Sequence, residues 1–429
     1  MSQQEAQSNS VPPNPSSNGN LNEQYDVIVV GGGPAGASAA RRAAQMGASV
    51  LLIDAATFPR PKPCGGAVSE QAMSYLDFPL EPALIQAEVY GARVYFGDNV
   101  VEGRAPFRIA VLTSRTELDN FLLQKAAEAG VQILQDHRVE DVSQNDDFAI
   151  VKVNNNRQFR SQYVVAADGA QSVIAKSIRK RLSKDEFAVA YEADIACTRE
   201  SPAQLSNDLI DIYFGQEYMG YSWIFPKRDH WNIGVGAMAS NATNVKSSTQ
   251  EFFGNLTALQ YDPGASLVNG KGWIIPAGGY QRRVGFKRIY LAGDAAGFVD
   301  PFYGEGIAYA IRSGAQAGVI TGAAALNPRK GTVAASQRQY AAFCKNHIST
   351  DLRYGLLFAR LLHFWPGGLL RLFSTDSRLI SKYLDVPAAR TSYGEYFRWF
   401  VPRAIAGLLV MYGRDVKAGI VQRLRRSHL

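Results

Sequence analysis

Two stretches of the chain join continuous apolar runs to helix-forming segments, and the stretch between them alternates apolar and polar positions. In the first, apolar runs at residues 26–30 and 48–53 flank a helix-forming segment at 37–47. This pattern predicts a strand, a helix and a second strand, within the ~30 residues that a parallel crossover needs. In the second, an apolar run at 288–292 leads into a glycine-rich turn and another helix.

The middle of the chain has the pattern of a sheet. Residues 188–238 alternate apolar and polar side chains and are rich in aromatic residues, which predicts an antiparallel sheet with a hairpin tip at 227–230. Before it, the pattern predicts an amphipathic helix at 117–130 and short strands that follow it, at 131–134, 148–153 and 163–167.

Two separated α/β stretches around a β-rich middle predict an α/β fold, α+β overall. We expect a Rossmann-like cofactor-binding domain that is discontinuous in sequence, with an inserted antiparallel β-sheet domain for substrate and a helical C-terminal region. The predicted boundaries are a disordered tail at 1–24, the cofactor domain at 25–75, 112–183 and 276–325, the sheet domain at 76–111 and 184–275, and the C-terminal region at 326–429.

The C-terminal region carries the positive charge of the protein. Residues 331–429 hold 15 Lys and Arg against 5 Asp and Glu, whereas the whole 429-residue chain has a net charge of +7. The region is also apolar and aromatic, and it has no run of the ~18–20 residues that span a bilayer. We expect it to contact a membrane peripherally, at the cytoplasmic face; a solvated basic face is the alternative. No nucleic-acid-binding motif is present, and we expect no nucleic acid partner.

Composition and cysteine usage exclude several other classes. A chain that is 46% hydrophobic and 19% charged is globular rather than disordered or fibrous. Three scattered cysteines, Cys64, Cys197 and Cys344, cannot form a disulfide framework or ligate an iron–sulfur cluster, so a reducing compartment is expected. The five histidines show no ligand spacing, and the sequence predicts no bound metal.

A glycine motif follows the first predicted strand directly. Gly31, Gly33 and Gly36 enclose Pro34 and Ala35, and Asp54 ends the next strand 18 residues after the last glycine. Glycines at this spacing permit a tight turn, close approach of a pyrophosphate and close packing of helix on strand, while the acid accepts ribose hydroxyls. A chance glycine-rich turn is the alternative, but the complete strand, turn, helix, strand and acid favour a dinucleotide site.

Two further motifs accompany it. Asp168 and Gly169 follow a predicted strand, and Gly293 and Asp294 follow another. The carboxylate of Asp294 is placed to bond the hydroxyls of a long ligand. The helix that starts near residues 304–306 is placed to stabilise negative charge on a reduced ring.

In this order the three motifs resemble those of FAD-dependent oxidoreductases with the para-hydroxybenzoate hydroxylase fold, over residues 25–320. The resemblance implies that FAD is the cofactor, that Asp294 contacts its ribityl chain and that Gly304 and Gly306 lie beside the flavin. Arg115 matches an arginine that often contacts the cofactor; a surface or helix-start role is the alternative. The predicted cofactor-binding residues are Gly31, Gly33, Pro34, Ala35, Gly36, Asp54, Lys62, Gly65, Gly66, Arg115, Asp168, Gly293, Asp294, Pro301, Gly304 and Gly306.

Two more motifs resemble those of geranylgeranyl reductases within that family. The first is Lys62-Pro63-Cys64-Gly65-Gly66, and the second is the aromatic motif Tyr221, Trp223, Phe225 and Pro226, followed by Gly234 and Gly236. Alternate residues of one strand share a face, so the three aromatic residues are expected to line an apolar pocket for a polyprenyl chain. Core aromatic residues would explain Trp223 alone but not the full spacing.

The resemblance implies that the loop of Cys64 passes close to the reactive face of the flavin. Saturating an alkene needs a proton as well as a hydride, and Cys64 is the candidate donor; a small buried residue that shapes the loop is the alternative. Arg60 and Lys62 are candidates for a diphosphate headgroup or for ordinary solvation.

The leading functional hypothesis is an FAD-dependent reductase of carbon–carbon double bonds in a prenyl lipid. One alternative is a flavin monooxygenase or halogenase acting on a small aromatic or hydrophobic substrate, and another is a flavoprotein that passes electrons to quinone. The sequence leaves NADPH and reduced ferredoxin open as electron donors, and it leaves the oligomeric state open.

Overall fold

The computed structural model describes residues 24–196, 202–215, 217, 219–242, 244–257 and 266–426, with the backbone alone for 412–426. The predicted tail at 1–24 lies outside the described residues except for Gln24, and Cys197 lies outside them too. The helices are α1 (Pro34–Gln45), α2 (Glu70–Ser74), α3 (Arg115–Glu128), α4 (Ala175–Ile178), α5 (Pro202–Leu205), α6 (Val245–Thr257), α7 (Ile307–Leu326), α8 (Thr332–Cys344), α9 (Thr350–Phe364), α10 (Pro366–Thr375), α11 (Arg378–Tyr383) and α12 (Tyr393–Arg426).

The strands form three sheets of eight, seven and three strands. They are β1 (Gln24–Val30), β2 (Val50–Ile53), β3 (Ala67–Ser69), β4 (Ala87–Val89), β5 (Gly91–Phe96), β6 (Asn99–Arg104), β7 (Ala110–Leu112), β8 (Gln132–Leu134), β9 (Val139–Gln144), β10 (Ala149–Val153), β11 (Gln158–Ala166), β12 (Phe187–Ala196), β13 (Leu209–Phe214), β14 (Gly220–Pro226), β15 (His230–Met238), β16 (Leu267–Pro276), β17 (Gly285–Phe286) and β18 (Ile289–Leu291).

The eight-stranded sheet confirms the predicted strand–helix–strand unit. Its main path runs β17, β18, β11, β1, β2 and β8, and β1 pairs in parallel with both β2 and β11. The parallel strands are buried on both faces, as their continuous apolar sequences require. Strand β18 comes from the far end of the chain and pairs with β11, so this sheet is discontinuous in sequence as expected.

Helix α7 is held against α1 by a stripe of glycines. A Cβ on Gly314 would lie 2.0 Å from the carbonyl oxygen of Ala35, and one on Gly318 would lie 2.1 Å from that of Ala39. The two helix backbones therefore approach more closely than any side chain on those two residues allows. The helix that follows the first glycine motif is thus fixed by a segment almost 300 residues later.

The seven-stranded sheet runs β16, β12, β15, β14, β13, β5 and β6. Its hairpin at 227–230 is confirmed, since β14 ends at Pro226 and β15 begins at His230. One pair departs from the predicted antiparallel sheet: β5 runs parallel to β13, which is possible because a long connection rather than a hairpin joins them. One face packs on α6 through Ile195, Ile233 and Val235, and the other face is open to a cavity.

The C-terminal helices cover the end of that cavity rather than standing apart. Helices α9 to α12 share an apolar core with Val101 of β6, and Gly407 of α12 packs against Leu372 of α10. Trp365 separates two of these helices, since α9 ends at Phe364 and α10 begins at Pro366, and proline is tolerated in the first turn of a helix. Among the described residues, no helix has the length and apolar character needed to cross a membrane.

Candidate active site

A single elongated chamber connects the sequence motifs. It has a volume of about 1040 Å³ and lies between the eight-stranded sheet, the open face of the seven-stranded sheet and helices α9 to α11. Its lining is mainly apolar, and many of its polar residues come from the loops after β2, β11 and β18. The chamber therefore begins at the carboxyl ends of parallel strands, where cofactors bind in folds of this type.

The first glycine motif forms a side-chain-free cradle at one end of the chamber. Gly31, at φ +100°, leaves no room for a side chain, because a Cβ there would lie 2.4 Å from the carbonyl oxygen of Ala167. Gly33, Pro34 and Ala35 line the chamber at the start of α1. Gly36 does not line it, and a Cβ there would lie 1.7 Å from the carbonyl oxygen of Gly31, so Gly36 closes the turn.

Three carboxylates surround the cradle in different ways. Asp54 lines the chamber and accepts hydrogen bonds from the backbone amides of Gly32 at 2.6 Å and Ala56 at 2.8 Å. Asp168 accepts from the amide of Val173 at 2.9 Å, but its buried Oδ1 has no hydrogen-bond partner among the described residues. Burial raises the pKa of Asp294, which also lines the chamber. All three carboxyl groups line the chamber, which places them to accept hydrogen bonds from ligand hydroxyls.

The second glycine-rich turn separates into lining and supporting residues. Gly304 and Gly306 line the chamber just before α7 begins at Ile307. Gly293, at φ +58°, is buried beside Ala35. Pro301 packs near Gly355 of α9. Gly293 and Pro301 therefore shape the turn without facing the chamber.

Arg60, Lys62 and Arg115 are among the basic residues that line the chamber. Arg115 is the first residue of α3 and is buried in a two-point ion pair with Asp119, with Nε–Oδ1 and Nη2–Oδ2 distances of 2.7 and 2.8 Å. Arg60 also pairs with Asp119, at 3.2 Å. Lys62 places Nζ 3.1 Å from the ring centre of Trp273, and burial lowers its pKa to about 7. Arg115 is thus a chamber residue and not a surface one.

The aromatic motif connects the seven-stranded sheet to both glycine loops. All three aromatic residues line the chamber from β14. The hydroxyl of Tyr221 donates to the carbonyl oxygen of Tyr303 at 2.6 Å, and Phe225 packs on Gly65, where a Cβ would lie 2.7 Å from its ring. These contacts fix the sheet relative to the loops that bear the cofactor motifs.

The two spaced glycines of the motif form the floor beneath Trp223. The indole lies over Gly234, where a Cβ would come within 2.2 Å of its ring. Its Nε1 donates to Oδ1 of Asn232 at 2.9 Å. Gly236 has room for a Cβ, with its nearest contacts at 3.5 and 3.8 Å. The chamber lining does not include Pro226, Gly234 or Gly236. Gly234 instead leaves the space that the Trp223 indole occupies.

The loop of Cys64 is held by two charged residues, Glu192 and Lys227, that belong to none of the sequence motifs. Glu192 of β12 accepts a hydrogen bond from the backbone amide of Cys64 through Oε1, at 2.8 Å. Lys227 is 3% exposed, and its Nζ donates to the carbonyl oxygens of Gly65 at 2.6 Å and Thr113 at 2.9 Å. Lys227 stands at a hairpin tip, a place where lysines are usually solvated. Its burial distinguishes Lys227 from a lysine that is exposed at a hairpin tip.

The far wall of the chamber was also absent from the predicted site. It comes from strands β5 and β13 and from helices α9 to α11. The side chains that form it are Ala92, Val94, Ile210, Ile212, Phe214, Phe358, Leu362, Leu370, Phe373, Ile380 and Tyr383. A basic and aromatic composition indicated membrane contact for this region, whereas its inner face closes the chamber.

These residues fit FAD. A cradle without side chains at the start of a helix suits a pyrophosphate, and the partnerless Oδ1 of Asp168 suits a ligand donor. Within the part of the chain that the structure describes, no three His, Cys, Asp or Glu side chains converge as metal ligands do.

Comparison with known proteins agrees with this geometry. An FAD binding domain family matches residues 24–324. The chain is 31% identical to the chloroplastic geranylgeranyl diphosphate reductase of Nicotiana tabacum, over 67% of this chain and 64% of that protein. It is 29% identical to the digeranylgeranylglycerophospholipid reductase of Thermoplasma acidophilum, over 70% of this chain and 78% of that protein. It is also 29% identical to the menaquinone reductase of Mycolicibacterium smegmatis, over 68% of this chain and 75% of that protein.

Solved structures show the same fold. A geranylgeranyl bacteriochlorophyll reductase-like protein from Thermoplasma acidophilum superposes with a TM-score of 0.74 at 24% identity, over 90% of this chain and 98% of that one. The flavin-dependent brominase Bmp2 superposes with a TM-score of 0.68 at 17% identity, over 91% and 100%. The family match, the named relatives and the glycine and aromatic motifs place this chain in the geranylgeranyl reductase family of FAD-dependent oxidoreductases.

Proposed function

We propose that this oxidoreductase saturates carbon–carbon double bonds of a geranylgeranyl or longer polyprenyl chain. The observation that carries the proposal is the shape of the chamber. Lining residues stand on strands from β16, at Trp273, to β5, at Ala92, which are five strand spacings apart. That is about 24 Å of mainly apolar wall, since strands are spaced by about 4.8 Å. A long hydrocarbon suits such a wall better than a small aromatic molecule does.

The residues of the chamber divide the work. FAD, when bound and reduced, supplies the hydride. Trp223 and Phe225 line the wall next to the Cys64 loop and orient the chain. The apolar side chains of α9 to α11 exclude water from the far end. Cys64 is partly buried beside the glycines that precede β3, in the loop for which the sequence predicts a proton donor.

The substrate headgroup is proposed to lie near the basic residues. Lys62 and Arg60 line the chamber at its polar end, where a diphosphate or other polar group of a prenyl lipid would be bound. Arg60 already shares Asp119 with Arg115, whereas Lys62 has no ion pair among the described residues. An anionic headgroup beside Lys62 would favour its protonated form. The electron donor remains NADPH or a reduced ferredoxin.

Contact with a membrane is part of the proposal. The end of α9 exposes Leu357, Phe364 and Trp365, at 48, 86 and 42%, and α12 exposes Ile405 and Leu409, at 55 and 68%. Seven arginines between residues 350 and 411 are exposed: Arg353, Arg360, Arg371, Arg378, Arg390, Arg398 and Arg403. Exposed apolar side chains among arginines suit an anionic bilayer surface, and the helices that bear them also close the chamber.

An anaerobic assay tests the proposed reaction. The holoenzyme, reduced chemically, is incubated with geranylgeranyl diphosphate and, separately, with a digeranylgeranyl phospholipid in vesicles, with free reduced flavin as the control. Mass spectrometry is expected to show one added hydrogen molecule for each saturated bond. No product from either substrate, together with oxygen-dependent consumption of NADPH stimulated by a small aromatic compound, would overturn the proposal in favour of a monooxygenase.

A further inference from the structure

Glu192 is a carboxyl group inside an otherwise mainly apolar stretch of the chamber wall. It lines the chamber from β12, where it pairs with Gly234 of β15 on one side and Lys271 of β16 on the other. Gly234 has no side chain, so the next wall residue in that direction is Trp223 on β14. Glu192 thus stands in the row that holds the central aromatic residue of the motif.

The two carboxyl oxygens of Glu192 have different surroundings. Oε1 accepts the hydrogen bond from the backbone amide of Cys64, which fixes the carboxyl next to the loop. Oε2 is buried and has no hydrogen-bond partner among the described residues. A buried carboxylate oxygen without a partner is costly, and protonation removes the largest part of that cost, which is the buried charge. The free oxygen is therefore the place for a proton.

The charges around Glu192 come from three directions. Asp194 is the next residue on the same face of β12, Lys227 approaches from the end of β14, and Lys271 is the cross-strand neighbour on β16. The amide side chain of Asn232 faces from β15, and the Cys64 loop lies on the remaining side. Burial raises the pKa of Glu192.

We propose that Glu192, rather than Cys64, is the proton donor: its Oε2 carries the proton delivered to the alkene, and Cys64 shapes the loop beside it. This inference rests on the proposed reductase function. One alkene carbon receives the hydride of reduced flavin and the adjacent carbon receives the proton of Glu192, so the π bond breaks and two C–H bonds form. The flavin is oxidised, and the carboxylate is protonated again by solvent. Lys227 and Oε1 are positioning groups that hold the Cys64 loop beside this acid.

The test is a single-turnover comparison of E192Q with the parent holoenzyme. Glutamine keeps the size of the side chain and an acceptor for the Cys64 amide but cannot donate the acid proton. Reduced enzyme is mixed anaerobically with geranylgeranyl diphosphate, and the return of oxidised flavin absorbance is followed over a range of pH. We expect substrate-driven oxidation to slow by about 10²- to 10⁴-fold, with FAD content and thermal stability unchanged.

The pH profile separates an acid from a structural group. In the parent the rate is expected to fall as pH rises through the pKa of Glu192, since only the protonated carboxyl donates. This fall of rate with pH is expected to disappear in E192Q. It is expected to be present in E192D, because aspartate keeps a carboxyl group on a side chain one methylene shorter. E192D therefore tests the acid even if E192Q is poorly folded. D194N is the matched control, because Asp194 does not line the chamber. It removes a charge that raises the pKa of Glu192, so it is expected to keep the fall of rate with pH and to shift that fall to lower pH.

Three outcomes overturn the inference. They are an E192Q rate equal to that of the parent, a slower E192Q rate that still falls with pH as in the parent, and an E192D rate that does not fall with pH. Failure of the proposed function is distinguishable from these, because in that case the parent enzyme itself does not oxidise its flavin with any prenyl substrate.

Discussion

The contact between Trp223 and Gly234 allows a matched pair of substitutions to test how the chamber floor is built. In G234A the new Cβ would lie 2.2 Å from the indole. Non-bonded carbons are separated by about 3.5–4.0 Å, so the ring must move by about 1.3 Å or more. In G236A the new Cβ meets Ala190 at 3.5 Å and Trp223 at 3.8 Å, which is ordinary contact. The two sites are neighbours on one face of one strand.

The expected cost of G234A has two parts. Forcing a methyl group into a packed site costs about 1–3 kcal/mol. Moving the indole breaks its 2.9 Å bond to Asn232, which adds about 1 kcal/mol. We expect a loss of about 2–4 kcal/mol of unfolding free energy in G234A, and a change within about 0.5 kcal/mol in G236A.

Denaturant unfolding of both variants, followed by tryptophan fluorescence, measures this difference. The prenyl substrate should also bind more weakly to G234A, because the displaced indole enters the chamber, and W223F in the same chain should recover part of the stability. Equal stability and equal KM in the two glycine variants would refute the packing argument.

Three further perturbations follow from the structure. Burial raises the pKa of Asp300 from 3.8 to about 7, so the folded protein keeps a proton that the unfolded chain releases. The free energy of unfolding therefore falls as pH rises between those two values, by up to about 4 kcal/mol. Thermal unfolding at about pH 5 and about pH 8 should show this loss of stability in the parent but not in D300N. The same pH dependence in both proteins would contradict the prediction. A92F narrows the β5 side of the chamber and should raise KM for geranylgeranyl diphosphate about 10-fold, or about 1.4 kcal/mol, while sparing geranyl diphosphate; equal losses on both chains would contradict the chamber as the chain site. Replacing Phe364 and Trp365 by serine should reduce sedimentation with phosphatidylglycerol vesicles, whereas the same change at exposed Val100 and Leu205 should not; unchanged sedimentation would speak against this surface.

The parts of the site that local sequence could predict are those in which neighbouring residues act together. The cradle at Gly31 to Gly36 and the aromatic residues of β14 depend on spacing within one strand or turn. Their chemistry can therefore be inferred from a short stretch of sequence. The boundaries of α3 differ by two residues at each end from the predicted helix, as helix ends commonly do.

The parts that sequence could not predict depend on pairing between distant segments. Glu192 reaches the Cys64 loop because β12 lies next to β15 in the sheet, and Lys227 is buried because the loop at 64–66 covers it. An isolated glutamate in an alternating strand is equally compatible with a solvent-facing position. Similarly, the apolar faces of α9 to α11 could pack on a core or line a chamber, and only the tertiary arrangement distinguishes the two.

The glycine stripe of α7 bears on the order in which the protein is made. The dinucleotide-binding helix α1 packs against Gly314 and Gly318, and its sheet needs β18, so the first 50 residues depend on residues 289–318. During synthesis the sheet cannot gain its β18 pairing, nor α1 its packing on α7, until about three quarters of the chain has left the ribosome. The inserted sheet is then the part able to collapse first, and cofactor loading becomes a late event. Nascent chains that end before residue 289 should therefore depend on chaperones and bind no flavin.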